Sequence, residues 1–190
     1  MSKLERGLIH VYTGDGKGKT TAALGLALRA AGCGFCTYFC QFLKGQQYGE
    51  LEAAQWLAAG APEGDQRPPI TIERFGQPSF VRRSVDGTPL TSEEDMRLAR
   101  AGLDAARRAM ASGRYELVVL DEINVALYFR LLTIREVLAV MDEKPEGVEL
   151  VLTGRRVPDE ILARADYVTE MREIHHPYQQ GIKARRGIEF

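Results

Sequence analysis

Residues 7–32 read GLIHVYTGDGKGKTTAALGLALRAAG. A β-rich apolar run, Leu8–Thr13, feeds a glycine-rich turn, and an Ala/Leu-rich helical run, Lys19–Ala31, follows and stops at Gly32. Backbone N–H groups at such a turn and helix start have no intrahelical partner, so they can point at an anion. Gly14, Gly16 and Gly18 let the backbone wrap closely without Cβ clashes. Lys19 adds a point charge for phosphate oxygens, and Thr20 a hydroxyl suited to Mg2+. Two details depart from G-x-x-x-x-G-K-[ST]. Thr13 stands where the first glycine belongs, and a second lysine, Lys17, sits inside the loop, either as a solvated lysine or as a further phosphate charge.

Outward from this loop, short β-rich runs alternate with helical patterns. The candidate strands are Leu8–Thr13, Phe35–Phe42, Ile70–Phe75, Glu116–Asp121, Glu149–Thr153 and Tyr167–Met171. LVVLD and LVLTG are nearly continuous apolar runs, as expected of strands covered by helices on both faces. Thr91–Ser112 opens on Thr91-Ser-Glu-Glu94, a capping box in form, and repeats Met96, Ala99, Leu103, Ala106 and Met110 along one face. Ile134, Val137, Leu138 and Met141 mark another helix, and a short one begins near Pro158. Ala59–Pro69 and Gly76–Pro89 read as loops. The alternation predicts one α/β domain over residues 1–190, with a mainly parallel sheet flanked by helices.

The second half of the site lies in YELVVLDEIN, Tyr115–Asn124. An acidic residue at the C-terminal end of a strand beside the phosphate-loop strand can hold Mg2+ directly or through water. Asp121 and Glu122 point in opposite directions if the strand continues, so one of them faces the metal. LVLTGR, Leu150–Arg155, brings Thr153 and Arg155 to the same sheet edge, where Arg155 is either a phosphate contact or a surface arginine. Cys33, Cys36 and Cys40 lack a fourth ligand nearby and read as buried core thiols. His10 reads as a core residue, and His175-His176 carries no pattern that names a metal.

Composition narrows the partners. Lys+Arg (25) nearly balances Asp+Glu (26), for a formal net charge of -1, which gives no general attraction to nucleic acid or anionic membrane. No apolar stretch approaches the roughly 20 residues of a membrane helix. The odd cysteine count, three, fits a reducing compartment, and a cytoplasmic location is expected. No Ser/His/Asp or Cys/His nucleophile set stands out. Residues alone leave open a kinase or ATPase working at the γ-phosphate and a non-catalytic ATP-binding protein.

Four motifs together resemble the P-loop ATP:corrinoid adenosyltransferases: TGDGKGKTT (13–21), QFLKG (41–45), LDEINVAL (120–127), and VTEM followed by HPYQQGIKARRGIEF (168–190). The resemblance covers Gly7 to Phe190. It implies a RecA-like domain, often dimeric. It also implies transfer of the 5′-deoxyadenosyl group of ATP to Co(I) of a reduced corrinoid, with triphosphate leaving. Mg2+ or Mn2+ would assist, and an electron-donating, flavin-based reductase would supply Co(I). On the matching positions, ATP would meet Thr13, Gly14, Asp15, Gly16, Lys17, Gly18, Lys19, Thr20, Thr21 and Arg155, with Lys19 and Lys17 stabilising the leaving group. Thr20 and Glu122, with Asp121 beside them, would hold the metal, and Phe80 and Asn124 would face the corrinoid. The family's Gly-x-Gly-Phe-Thr-Trp segment is replaced here by FGQPSFVRR (75–83), which has no tryptophan.

Overall fold

The computed structural model describes residues 4–45, 49–60, 68–78, 82–83 and 89–189. In chain order it builds β1 (Ile9–Thr13), α1 (Lys19–Gly32), β2 (Thr37–Phe42), α2 (Gly49–Ala59), β3 (Ile70–Phe75), β4 (Arg82–Arg83), β5 (Pro89–Leu90) and α3 (Glu93–Ala111). There follow β6 (Leu117–Asp121), α4 (Ile123–Tyr128), α5 (Ile134–Asp142), β7 (Glu149–Thr153), α6 (Asp159–Leu162), β8 (Tyr167–Glu170) and a 3-10 turn at Pro177–Gln180. Six strands make one sheet in the order β3-β2-β6-β7-β1-β8, and every pairing in it is parallel.

The apolar runs split by side-chain alternation into two cores. Val118 and Leu120 on β6 and Leu150 and Leu152 on β7 face one layer, where α3, α4, α5 and α6 supply Leu103, Met110, Ile123, Val137 and Ile161. Leu117, Val119 and Val151 face the opposite layer with Phe39, against Ala23 and Ala27 of α1 and Ala54 of α2. Both sets are buried, which is why these strands show no polar alternation. The four-residue step Lys19, Ala23, Ala27 puts the small side of α1 on the sheet and brings the helix start over the strand ends.

Several local expectations are corrected. The α3 capping box uses Ser92 and Asp95 instead of Thr91 and Glu94: Asp95 N–H donates to Ser92 Oγ at 3.1 Å, and Ser92 N–H donates to Asp95 Oδ2 at 2.9 Å. Gln77 fixes that register by donating to Ser92 Oγ (3.0 Å) and Asp95 Oδ1 (2.9 Å). The expected loop at Gly76–Pro89 includes β4 and ends in β5, which pairs with β4 in antiparallel fashion. Cys36 and Cys40 are buried as expected, but Cys33 is exposed at the end of α1. His10 is only partly buried: it pairs with Glu149 and stacks on Tyr167 at 4.6 Å. No helix among the described residues is long and apolar enough to cross a membrane.

Candidate nucleotide site

The phosphate loop owes its shape to two left-handed glycines, Gly14 (φ 91°) and Gly18 (φ 118°). Thr13 is the last residue of β1, so the first position that demands glycine is Gly14, one residue later than the general pattern places it. The chain leaving β8 packs against this loop. Met171 N–H donates to Thr13 O (2.8 Å) and Gly16 N–H to Met171 O (2.7 Å). A Cβ on Gly14 would lie 2.4 Å from Met171 O, and one on Gly16 would lie 2.7 Å from the carbonyl oxygens of Met171 and Arg172. Inside this turn the Lys19 ammonium donates to Gly14 O (2.6 Å) and Gly16 O (2.7 Å). Burial and then Arg155 hold Lys19 below the ordinary lysine value, against the opposing pull of Glu122, Asp15 and Asp121. A buried ammonium beside a guanidinium is a site prepared for an anion.

Asp121 is the hub. Its strand is not the neighbour of the phosphate-loop strand, as the sequence reading had it: β7 lies between β1 and β6. Thr153, at the end of β7, spans the gap by donating its hydroxyl to Asp121 Oδ1 at 2.7 Å. Thr20 donates to the same oxygen from the start of α1 at 2.9 Å. The other carboxylate oxygen accepts from Lys44 (2.9 Å) and, at longer range, Gln41 (3.5 Å). Asp121 is fully buried, so this set of donors is what keeps its charge tolerable.

Strand β6 ends at Asp121 because Glu122 adopts a left-handed conformation (φ 63°) and caps α4 directly. The two carboxylates therefore do not alternate along an extended strand. The turn is held by Glu122 N–H donating to Thr153 Oγ1 (2.9 Å) and leaves the Glu122 side chain on the pocket wall. Burial, then Asp121, raises the Glu122 carboxyl above its ordinary value, while Lys44, Lys19 and Arg155 pull the other way. For Lys44, burial alone would lower the ammonium, but Asp121, Glu50 and Glu122 outweigh it and the net shift is upward.

A cavity of about 540 Å3 joins these groups. Of the expected ATP residues, Gly16, Lys17, Gly18, Lys19, Thr20, Thr21 and Arg155 line it, as does Glu122. Thr13, Gly14 and Asp15 shape the loop but are not part of the lining, and Asp15 is exposed. Lys17 reaches toward the C-terminal segment, where its Nζ donates to Ile188 O at 3.3 Å. Asn124 is one residue expected on the corrinoid side. Asn124 is fully buried, and its side-chain N–H donates to Gly154 O at 3.3 Å, bracing the turn that carries Arg155. Phe80, the other corrinoid-side residue, lies outside the described residues.

Lys44, Glu50, His176 and Glu189 also wall this cavity, none of them among the expected site residues. Lys44 had a signal, because it sits in the QFLKG motif after β2. Glu50 and His176 had none that spacing could reveal, since α2 and the C-terminal segment reach the pocket only through tertiary packing.

The family model for ATP:corrinoid adenosyltransferase BtuR/CobO/CobP matches residues 5–190. A protein named corrinoid adenosyltransferase from Sinorhizobium sp. is 34% identical over 190 residues, covering 98% of this chain and 81% of that one. Its namesake in Escherichia coli K12 is 34% identical over 191 residues, covering 98% and 87%. Among solved structures, a RadB recombinase aligns with TM-score 0.54 at 14% identity, covering 92% of this chain and 78% of its own. A KaiC-like protein of Pyrococcus horikoshii OT3 aligns with TM-score 0.51 at 16% identity, covering 90% and 75%. These two share the fold, a RecA-like parallel sheet with flanking helices. By its sequence over nearly its whole length, the chain belongs to the ATP:corrinoid adenosyltransferase family.

Proposed function

We propose that this protein transfers the 5′-deoxyadenosyl group of ATP to Co(I) of a reduced corrinoid and releases inorganic triphosphate, in the biosynthesis or salvage of adenosylcobalamin. The observation that carries this reading is the family match across residues 5–190. On this reading, residues 1–190 form one catalytic domain. The RecA-like fold is equally compatible with cleavage at the γ-phosphate, so the family match supplies the choice between the two reactions.

Co(I) is already a strong nucleophile and needs no general base. The protein's task is to place the ribose 5′ carbon in line with cobalt and to stabilise a triphosphate as the C–O bond breaks. Alignment of this kind is worth about 7–11 kcal/mol in favourable cases. Lys19, the N–H groups of Lys17–Thr20 and Arg155 would receive the developing negative charge. Lys17 would join them by leaving its exposed contact with Ile188 O.

The donor set fits a hard divalent cation such as Mg2+ or Mn2+. The Thr20 hydroxyl is held in place by Asp121, and Glu122 supplies a carboxylate on the same wall. No group of three or more His, Cys, Asp or Glu among the described residues could hold a metal alone, so phosphate and water oxygens would complete the shell. Such an ion would neutralise charge on the triphosphate. Thr20 and Glu122 would hold it, while Asp121 orients Thr20. We assign Phe80 to the corrinoid side, and we place the protein in the cytoplasm as a homodimer served by a flavin-based reductase. The test is anaerobic incubation with ATP, Mg2+ and chemically reduced cobalamin or cobyrinic acid diamide, following the corrinoid spectrum while assaying triphosphate. Release of ADP in place of triphosphate would move the assignment to γ-phosphate chemistry, and an absence of turnover would make the protein a binding module.

A further inference from the structure

We propose that Lys44 is a built-in counter-cation that makes metal loading of this site depend on the arrival of nucleotide phosphates. The inference rests on the reading of Thr20 and Glu122 as the metal's side-chain ligands and extends it to a residue that reading does not use.

Lys44 is aimed by an unusually constrained turn. Leu43, just before it, is left-handed (φ 61°), a conformation that side chains rarely adopt. Leu43 N–H donates to Phe75 O at 3.0 Å. A Cβ on Gly45 would lie 2.4 Å from Gln77 backbone, and one on Gly76 would lie 2.5 Å from the backbone of Leu43 and Lys44. The turns after β2 and β3 are therefore interlocked, and their joint product is one ammonium delivered to the end of β6.

That ammonium stands among carboxylates. It lies 2.9 Å from Asp121 Oδ2 and 3.8 Å from Glu50 Oε1, and Glu122 also bears on it. Gln41 Nε2 ties Glu50 to the cluster at 3.1 Å. A carboxylate offers about four lone-pair directions, and Asp121 has four donors on it: Thr20 and Thr153 on one oxygen, Lys44 and Gln41 on the other. A metal that sought Asp121 directly would have to displace an ammonium already in place. A metal on Thr20 and Glu122 alone would sit close to that positive charge, with Lys19 and Arg155 nearby as well. Nucleotide phosphates reverse the balance, because they bring the negative charge and oxygen ligands that the protein withholds. The role is positioning and specificity: Lys44 acts on the metal through Asp121 and through charge.

The experiment measures binding of Mn2+ alone, by calorimetry or spin resonance, to wild type, Lys44→Met and Lys44→Arg, with and without ATP and with no corrinoid present. Without ATP, Lys44→Met is expected to bind Mn2+ on the order of tenfold or more tighter than wild type, the scale that one neighbouring charge exerts at short range in a half-buried site. Lys44→Arg should behave as wild type, and the gap should shrink when ATP is present. Should Lys44→Met prove unfolded by circular dichroism, Lys44→Gln carries the same expectation with a polar group left toward Asp121. Equal or weaker Mn2+ binding by the neutral variant would overturn the proposal, as would an arginine variant that behaves like methionine. Since corrinoid is absent, loss of adenosyl transfer and loss of this effect are separate results.

Discussion

Lys19→Ala tests the site through the buried ammonium of its phosphate loop. Lys19 is 6% exposed, and its ammonium is held by two loop carbonyls at 2.6 and 2.7 Å. A triphosphate in the loop would lie within a few ångströms of it. At about 4 Å and an effective dielectric near 20, one such charge pair is worth about 4 kcal/mol. If that attraction grows mainly as the leaving group separates, its loss lowers kcat by about 10^2–10^3, at 1.4 kcal/mol per factor of ten. Lys17 would compensate only weakly, because it is exposed and its charge is screened by solvent. Lys17→Ala is the matching control, and a screened surface charge of this kind should cost tenfold at most. The assay is single-turnover adenosylation of reduced corrinoid at saturating ATP. A Lys19→Ala rate within about threefold of wild type would refute the reasoning, given that one factor of ten is 1.4 kcal/mol.

Three further outcomes are expected. Glu122 has a raised folded pKa, so its protonated form is favoured by folding: stability from this group is present at low pH and is lost as pH rises through that pKa, whereas metal binding follows the opposite sign. Mg2+-dependent ATP affinity should therefore fall as pH drops through a midpoint above the ordinary glutamate value, and Glu122→Gln should abolish that dependence while raising stability at neutral pH; a pH profile unchanged in the variant would contradict this. Thr153→Val removes the 2.7 Å donor to Asp121 and the acceptor for Glu122 N–H, which should cost about 1–3 kcal/mol in thermal unfolding and weaken Mg2+-ATP binding, with Thr153→Ser restoring both. Gly16→Ala pushes a methyl to 2.7 Å from Met171 O and Arg172 O, so ATP binding should fall sharply with a stability loss of about 1–3 kcal/mol, read by calorimetry and thermal unfolding.

The strands and the loop were legible because their signals are local. LVVLD and LVLTG are apolar on both sides, and Gly14-x-Gly-x-Gly18-Lys19-Thr20 carries its function in consecutive residues. Strand order was not legible, since nothing in β6 or β7 says which lies beside β1. The order matters, because β7 standing between β6 and β1 is what brings the Thr153 hydroxyl onto Asp121. Glu122 was assigned to the site, but its left-handed backbone could not be foreseen from a residue type that rarely adopts it. The burial of Asn124 was hidden for the same reason: the immediate start of α4 turns it inward under Gly154. Glu50 comes from a helix whose approach depends on the whole sheet, so no spacing rule reaches it, whereas Lys44 is marked only by its place in QFLKG.

The central claim is that bond cleavage occurs at the ribose 5′ carbon, with the phosphates held intact as a leaving group. The most direct measurement supplies ATP carrying 13C at that carbon, with reduced corrinoid and Mg2+ under anaerobic conditions, and follows the label by NMR. The account predicts that the 13C resonance moves to a carbon bonded to cobalt, in step with one equivalent of unbroken triphosphate. Label that stays in ADP or AMP, with orthophosphate or pyrophosphate released, would contradict it.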